Sequence, residues 1–301
     1  NLSYTHDTYN IFNADADPLS QEEIDMLKDS NDIEIANFFQ KQQAFIMETY
    51  STVNYKPVNK RKETITATRT SGLKNPLLAT LAAQIQPFSA YENPINLFSK
   101  DYLNPISNAG YNGYYFELRD TLYDDKDSIF IIDFVPKPGS NFTGVKGKIF
   151  IHSQNWAITN AIFDMESALG VSSDGNSVSL GSSGGGSTSP LMSIIIRYER
   201  VNPTYWFPKE VRTTIPLGQV FDSTNFYMWN TSFYKNIQLD VDKKDIKIGG
   251  APIEVLEEAV DRDEAYWQNI KGDSTSARDL ETFRFNDSIG EAAELDDKLN
   301  I

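Results

Sequence analysis

A glycine-rich stretch is the part of this sequence that comes nearest to a known chemical motif. The segment GSSGGGST matches the phosphate-binding pattern G-x-x-x-x-G-K-[ST] at Gly181, Gly186 and Thr188. Ser187 stands where that pattern needs a lysine to neutralise the phosphates, and the preceding residues are too polar for the buried strand that such a loop follows. We therefore interpret the Ser/Gly-rich insert 167–190 as a flexible loop that joins two neighbouring strands.

The histidines and acidic residues lack the spacing of a metal site. The chain has two histidines and no cysteine, and His152 belongs to no H-x-x-x-H or H-E-x-x-H pattern. We expect His152 at the end of a strand or in a turn. The acidic stretches 13–18 and 240–245 resemble calcium loops, but both lack the glycine of the sharp turn. We interpret them as solvated loops.

Four carboxylates lie between two predicted strands, at Asp120, Asp124, Asp125 and Asp127. Paired carboxylates can perform general acid–base catalysis, but solvated residues of a hairpin turn explain the same pattern. The sequence therefore predicts no catalytic, cofactor-binding or metal-binding residue and no enzymatic activity. A convergent carboxylate pair in a cleft would instead favour a hydrolase.

The charge balance argues against two classes of partner. The 301-residue chain has 42 acidic and 27 basic residues, a net charge of −15. Nucleic acids and anionic membrane surfaces select for Lys and Arg, so we expect neither as a partner. The acidity is concentrated in residues 240–301, which hold 17 acidic and 8 basic side chains, a net of −9.

Alternation of apolar and polar residues predicts that most of the chain is β-strand. The segment LMSIIIRYE places Met192, Ile194, Ile196 and Tyr198 on one face, and similar segments follow one another between turn residues. This order is typical of an antiparallel meander and not of alternating strands and helices. We predict a mostly β, α+β fold with an antiparallel sheet of about nine strands in a domain over residues 1–239.

Helices are predicted at three places. A capping box of Ser20 and Glu23 indicates a helix over residues 21–40. A second helix is expected near 76–88, with an apolar face that contains Leu77, Leu81 and Ile85 and should be buried in the core. Residues 240–301 are predicted as an acidic helical segment, in which an apolar stripe on one helix comprises Ile253, Leu256, Val260, Trp267 and Ile270.

Aromatic residues are dense on several predicted strands. The segments NGYYFELRD, NPTYWFP and FYMWNTSFY carry Tyr, Trp and Phe at short spacing. The first interpretation is that they fill the inner face of a curved sheet. The alternative is that they line a hydrophobic groove for an acyl chain or an apolar peptide.

Several segments resemble a family of large outer-membrane proteins from Bacteroides-type bacteria. They are LSYTHDTYNIF, KETITATRTSGLKNPLLATLAAQIQPFSAYENPI, DYLNPIS, YYFELRDTLYDDKDSIFIIDFVPKPGSNFTGVKGKIFIHSQNWAITNAIFD and DEAYWQNIKGDSTSARDLETFRFNDSIG. The resemblance implies an N-terminal carboxypeptidase-regulatory-like domain, a middle domain of unknown function to which this chain corresponds, and a C-terminal transmembrane β-barrel. FTGVKGKIFIHSQNWAITNAIFDM is also similar to lipoprotein-carrier-like periplasmic half-barrels, in which an Asp often takes the place of His152. This second resemblance implies that the sheet is a curved, open half-barrel and that the helix near 76–88 lies on its concave side.

These resemblances imply a location at the periplasmic face of the outer membrane. The expected function is a non-enzymatic interaction module of a β-barrel protein, in envelope assembly, transport or secretion. Its partners would be its own barrel and other envelope proteins. The alternative is a module that binds a lipid, an acyl chain or an apolar peptide. No cofactor is expected in either case.

Overall fold

The computed structural model describes most of the chain with defined gaps. The described residues are 1–14, 41–56, 60–72, 89–97, 100–124, 127–166, 169–171, 178–180, 191–221, 224–242, 244, 246, 248–270 and 276–285.

Strands dominate the described residues. The strands are β1 (Leu2–Ala14), β2 (Phe45–Lys56), β3 (Lys60–Gly72), β4 (Ile95–Leu97), β5 (Lys100–Tyr102), β6 (Tyr114–Asp124), β7 (Asp127–Pro136), β8 (Lys146–His152), β9 (Ile158–Glu166), β10 (Leu169–Val171), β11 (Val178–Leu180), β12 (Leu191–Arg200), β13 (Trp206–Phe221), β14 (Thr224–Leu239) and β15 (Ile253–Val255). The helices are α1 (Asn108–Gly113), α2 (Glu264–Asn269), α3 (Ala277–Phe285) and a 3-10 helix at Glu257–Ala259.

One open sheet of 11 strands organises the molecule, in the order β15-β3-β2-β1-β14-β13-β12-β9-β8-β7-β6. From β6 to β9 and from β12 to β14 the chain folds as an antiparallel meander, as its alternating pattern predicts. The N-terminal strand β1 lies in the middle, between β2 and β14. The sheet is mostly antiparallel, but β15 pairs with β3 in parallel. The prediction of about nine strands was too low, since the sheet has 11, one of which, β15, comes from C-terminal residues that were predicted to be helical.

The strands that flank the Ser/Gly-rich insert are neighbours, as predicted. β9 and β12 pair antiparallel from Leu191 opposite Glu166 onward. Within the insert, β10 and β11 form a small two-stranded sheet of their own, so part of 167–190 is a hairpin. The glycine-rich stretch 181–188 lies outside the described residues.

One face of the sheet carries the main hydrophobic core, and we call it the core face. The face predicted for β12 is confirmed, because Met192, Ile194, Ile196 and Tyr198 are all buried there. The same cluster continues across neighbouring strands through side chains such as Phe163, Ile149, Val211, Ile215, Met228 and Phe226. Cross-strand contacts between these residues stabilise the sheet.

The C-terminal segment, residues 253–270 and 276–285, packs on the opposite face of β1, β2 and β3. Trp267 of α2 is buried against Tyr9, Tyr50 and Ala67, which alternate with core-face residues along their strands. The prediction of one helix through the apolar stripe is wrong, because Ile253 belongs to β15 and the helices that follow are short. The predicted helices 21–40 and 76–88 lie outside the described residues.

Candidate functional site

The most unusual surface of the described chain is its free sheet edge at β6. Seven of the 15 exposed large apolar side chains lie in residues 111–135, so apolar exposure is concentrated there. Scattered apolar side chains are normal on a protein surface, but contiguous patches mark interaction sites. We call the six that belong to β6 and β7 the edge surface: Tyr115, Phe116, Leu118, Leu122, Tyr123 and Val135.

The edge surface has apolar side chains on both faces of the sheet. Phe116 lies opposite the core residue Phe134, so it extends the core face outward. Tyr115 lies opposite Val135, and the pleat directs this pair to the other face. A β-bulge at Arg119 interrupts the register between Leu118 and Asp120, which places Leu122 on the same face as Tyr115.

The backbone of β6 also offers unpaired groups. Lys137 N donates to Gly113 O over 2.9 Å, just beyond the end of the β6–β7 ladder. In an antiparallel pair, the bonded positions alternate along each strand. The amides of Tyr115 and Glu117 therefore point toward β7, whereas those of Phe116 and Leu118 point toward the free edge. Natural edges are usually short, twisted or charged, because unpaired strands invite pairing with another chain.

Charges near the edge surface are predominantly acidic. Arg119 Nε donates to Asp133 Oδ2 over 2.9 Å, and Lys148 Nζ donates to Asp133 Oδ1 over 2.8 Å. The hydrogen bond from Lys148 is the largest cause of the lowered pKa of Asp133; burial opposes it, and the hydrogen bond and charge of Arg119 lower the pKa further. Arg119 and Lys148 are thus engaged, and Lys137, which lies 5.5 Å from the ring centre of Tyr115, donates to Asn112 O. Glu117 and Asp120 are exposed along β6.

A second polar group lies on the core face where β1, β2 and β3 meet. The His6 ring is 3.1 Å through Nδ1 from Glu63 Oε1, and Ser51 Oγ donates to the same oxygen over 2.7 Å. Arg61 donates to the other carboxylate oxygen over 2.8 Å. Burial alone would raise the pKa of Glu63, but His6, Arg61 and Ser51 together lower it to about 2. Both carboxylate oxygens of Glu63 therefore have hydrogen-bond partners.

The His6 ring connects this ion pair to a hydroxyl. With Nδ1–H donating to Glu63, Nε2 accepts from Thr8 Oγ1 at 3.2 Å. This connectivity resembles the acid–base–hydroxyl relay of hydrolases. His6 is buried, however, and its ring stacks on Tyr234 with the centroids 5.1 Å apart. Because the ring is buried and stacked, we interpret these hydrogen bonds as structural contacts that connect β1 to β3.

Two further polar groups lie beside that relay. The register places Ser232 opposite Thr8 and Asn230 opposite Asn10 on the core face. Asn230 Nδ2 donates to Asn10 Oδ1 over 2.8 Å. Ser232 Oγ and Asn230 Oδ1 are buried without a hydrogen-bond partner among the described residues. Such groups are rare in folded proteins and call for an explanation.

The C-terminal segment is fixed to the sheet by a buried polar chain. Asn13 Nδ2 donates to Gln43 Oε1 over 2.6 Å, and Gln43 Nε2 donates to Asp279 Oδ1 over 2.8 Å. Gln43 N also donates to Thr282 Oγ1 over 2.9 Å. The guanidinium of Arg69 lies 4.4 Å from the ring centre of Trp267, on the same side of the sheet. This side of the molecule is thus occupied by the chain itself.

Of the polar residues singled out in the sequence, His152 lies where it was predicted. It ends β8, and its Nε2 is 3.5 Å from Asp127 Oδ2. Asp124 and Asp127 close the β6–β7 hairpin, as expected of turn residues, and Asp120 is exposed on β6. Asp125 and most of the stretch 13–18 lie outside the described residues.

The aromatic residues of the described strands divide between the two faces of the sheet. Phe226 and Tyr234 of β14 are buried on the core face, while Tyr227 and Trp229 stack on each other on the opposite face, 5.5 Å between ring centres. Tyr115 is exposed. The expectation of a single inner aromatic face is therefore only partly met. The density of aromatic residues in the sequence did not predict this division. The face that each residue occupies depends on the alternation of side chains along its strand.

The described residues contain neither a cluster of metal ligands nor a membrane-spanning helix. In the part of the chain that the structure describes, no three His, Asp or Glu residues are grouped to hold a metal ion. No described helix is long and apolar enough to span a membrane.

Similar proteins of known structure are remote. A LolA superfamily protein from Nitrosomonas europaea is 9% identical, with a TM-score of 0.28, over 81% of this chain and 90% of that one. A DUF1329 family protein from Desulfovibrio piger is 9% identical, with a TM-score of 0.28, over 82% and 91%. The Pseudomonas aeruginosa MucA/MucB complex gives 9% identity and a TM-score of 0.18 over 83% and 94%. These likenesses carry no conclusion about function.

The sequence itself shows a closer relationship. No curated protein matches the chain. A family model described as "Family of unknown function (DUF5686)" matches residues 3–173. The matched region contains the edge strand β6 and the paired residues His6 and Glu63. Because the match extends over more than half of the sequence, this chain belongs to the DUF5686 family.

Proposed function

We propose that this protein is a non-enzymatic interaction module that binds an extended segment of a partner protein along β6. The observation that carries the proposal is the free edge of β6, where exposed apolar side chains on both faces accompany outward-facing backbone amides. Strand addition to a sheet edge uses these two features, since main-chain hydrogen bonds supply affinity and alternate side chains supply specificity.

The chemistry of the edge surface limits the partner. Apolar side chains at alternate positions of the added strand would contact Phe116 and Leu118 on one face and Tyr115 on the other. The exposed carboxylates of Glu117 and Asp120 favour Lys or Arg beside that apolar core. The best partner is therefore an extended apolar segment with basic flanks.

Location and architecture form the second part of the proposal. The resemblance to Bacteroides-type outer-membrane proteins supports a place at the periplasmic face of the outer membrane, between a carboxypeptidase-regulatory-like domain and a transmembrane barrel. The partner segment would then come from the protein's own barrel or from another envelope protein. A role in envelope assembly, transport or secretion follows from that setting.

The absence of enzymatic activity is also part of the proposal. The buried carboxylate of Glu63 is already bonded to His6, Ser51 and Arg61. A general acid or base needs a pKa near the working pH, whereas the pKa of Glu63 is lowered to about 2. These groups are better suited to joining strands than to proton transfer.

A proline substitution in β6 tests strand addition. Phe116→Pro removes an amide that faces away from β7, so the fold should tolerate it. Phe116→Thr keeps the amide and removes the ring, and serves as the matched control. The probe is a fluorescent peptide of about ten residues, alternating Val and Thr with a Lys at each end. We expect peptide binding to weaken at least about tenfold in Phe116→Pro and less in Phe116→Thr.

Hydrogen exchange gives the second readout of this experiment. Bound peptide should slow exchange at the amides of Phe116 and Leu118 and leave Tyr115, which already pairs with β7, unchanged. Thermal unfolding of both variants shows that the fold is intact. Equal binding by wild type and Phe116→Pro, or unchanged exchange at Phe116, would contradict strand addition.

Hydrophobic-ligand binding is a second candidate. The core face is only partly covered at its β7–β8 end. Phe130, Ile132 and Ile151 on these two strands are partly buried there. They continue the core toward exposed Phe116 and Leu118. Partly covered apolar surface of this kind accommodates an acyl chain. A bound lipid in organic extracts of the purified protein would favour this candidate.

A further inference from the structure

A buried polar site interrupts the apolar core face between β1 and β14. Along β14, Met228, Asn230, Ser232 and Tyr234 alternate onto this face, and all four are buried. Ser232 is fully covered, yet its hydroxyl has no hydrogen-bond partner among the described residues. A buried hydroxyl without a partner is unfavourable, so a residue selected only for packing would be apolar here.

A second buried polar atom without a hydrogen-bond partner lies two residues before Ser232 on β14. Asn230 Oδ1 is also without a partner, although the amide nitrogen of the same side chain donates to Asn10. Residues two apart on a strand point to the same face and are about 7 Å apart. A single small group between the two side chains can therefore reach both.

The chemistry of these two atoms defines the group that fits. Asn230 Oδ1 needs a donor, and Ser232 Oγ can donate or accept. A hydroxyl or a secondary amide satisfies both at once. The nearby carboxylate of Glu63 is already bonded to His6, Ser51 and Arg61, so this group supplies no free charge for an ionic head group. A neutral polar group is thus preferred over a carboxylate or a phosphate.

We propose that Ser232 and Asn230 form a binding site for the neutral hydroxyl or amide head of an amphipathic ligand. This proposal rests on hydrophobic-ligand binding, the second candidate function above. The ligand's apolar tail would lie on the adjoining core face, where Val211 is the neighbour of Ser232 on β13. Because both orphaned atoms are covered in this structure, ligand entry requires the site to open first.

Calorimetry with defined probes tests the site. The probes are monolauroylglycerol, which has a neutral hydroxyl head, and laurate, which has the same chain length with a charge. We expect monolauroylglycerol to bind wild type at least about tenfold more tightly than laurate. Ser232→Ala should weaken monolauroylglycerol about fivefold and leave laurate unchanged, since one neutral hydrogen bond is lost. Ser193→Ala on the opposite face of β12 is the matched control and should bind like wild type.

Stability without ligand provides an independent readout. Ser232→Ala removes no hydrogen bond from the ligand-free protein, so its Tm should equal or exceed that of wild type. A Tm lower by several degrees would show an internal partner for the hydroxyl and overturn the proposal. Equal binding of both probes, unaffected by Ser232→Ala, would also overturn it while leaving hydrophobic-ligand binding intact. Failure of both probes to bind would contradict the site and that candidate function together.

Discussion

The buried, hydrogen-bonded carboxylate of Glu63 predicts a specific loss of stability in acid. In the folded protein the pKa of Glu63 is lowered from the ordinary 4.5 to about 2. Burial opposes this change, and the hydrogen bonds and charges of His6, Arg61 and Ser51 outweigh it. Because the folded value is the lower one, the unfolded chain takes up a proton first as the pH falls. The stabilisation is complete above pH 4.5 and disappears toward pH 2.

The size of this effect follows from the two pKa values. The difference between 4.5 and about 2 corresponds to about 3 kcal/mol of unfolding free energy. About two thirds of that amount is lost by pH 3. The Glu63 side chain is only 12% exposed, so solvent screening reduces the figure little. Glu63→Gln removes the titrating group and should abolish this part of the pH dependence.

Urea unfolding followed by circular dichroism measures the effect. At pH 6, Glu63→Gln should be less stable than wild type by about 3 kcal/mol, and by pH 3 the difference should fall to about 1 kcal/mol. Glu199→Gln is the control, because Glu199 pairs with Lys209 at the surface and an exposed pair contributes little. A wild-type advantage that is the same at pH 6 and pH 3 would refute the reasoning.

Two other predictions concern backbone geometry and the C-terminal segment. Gly72 has φ +101°, and a Cβ there would lie 2.2 Å from Ala44 O, so Gly72→Ala should cost at least about 2 kcal/mol in urea unfolding. Gly250→Ala shares a positive φ without that clash and should cost less; equal costs would contradict the steric account. Trp267→Ala should cost about 3 kcal/mol and speed trypsin cleavage at Arg262, because Trp267 is buried against Tyr50. Unchanged cleavage would show that other contacts hold the segment.

The two ends of the sheet differ in how far they are covered, and this difference supports β6 as the proposed interaction site. At the other end, β15 covers part of β3, and Arg262 donates two hydrogen bonds to Thr66 O. The chain thus supplies its own cover for the β3 edge. At β6 the described residues supply no such cover, although β6 is 11 residues long. An uncovered edge of this length is stable in solution only if charges or bulges discourage self-pairing, as Glu117 and the bulge at Arg119 do.

Local patterns in the sequence determined most of the strands. The alternation in β12, the neighbouring positions of β9 and β12, and the strand-end position of His152 were all predictable. These features depend on side-chain period and turn residues within a few positions of each other. The acidic character of residues 240–301 and the lack of a metal-ligand pattern were likewise evident from composition and spacing.

Only the tertiary structure decided how distant segments meet. β1 lies between β2 and β14, and Leu2 is paired with Leu239. Such pairing depends on the register of whole strands and on burial of both faces, which no local window contains. The partners of Glu63, the orphaned groups of Ser232 and Asn230, and the free edge of β6 all follow from that arrangement. The sequence by itself therefore determined which segments are strands, whereas the long-range order of the strands created the candidate sites.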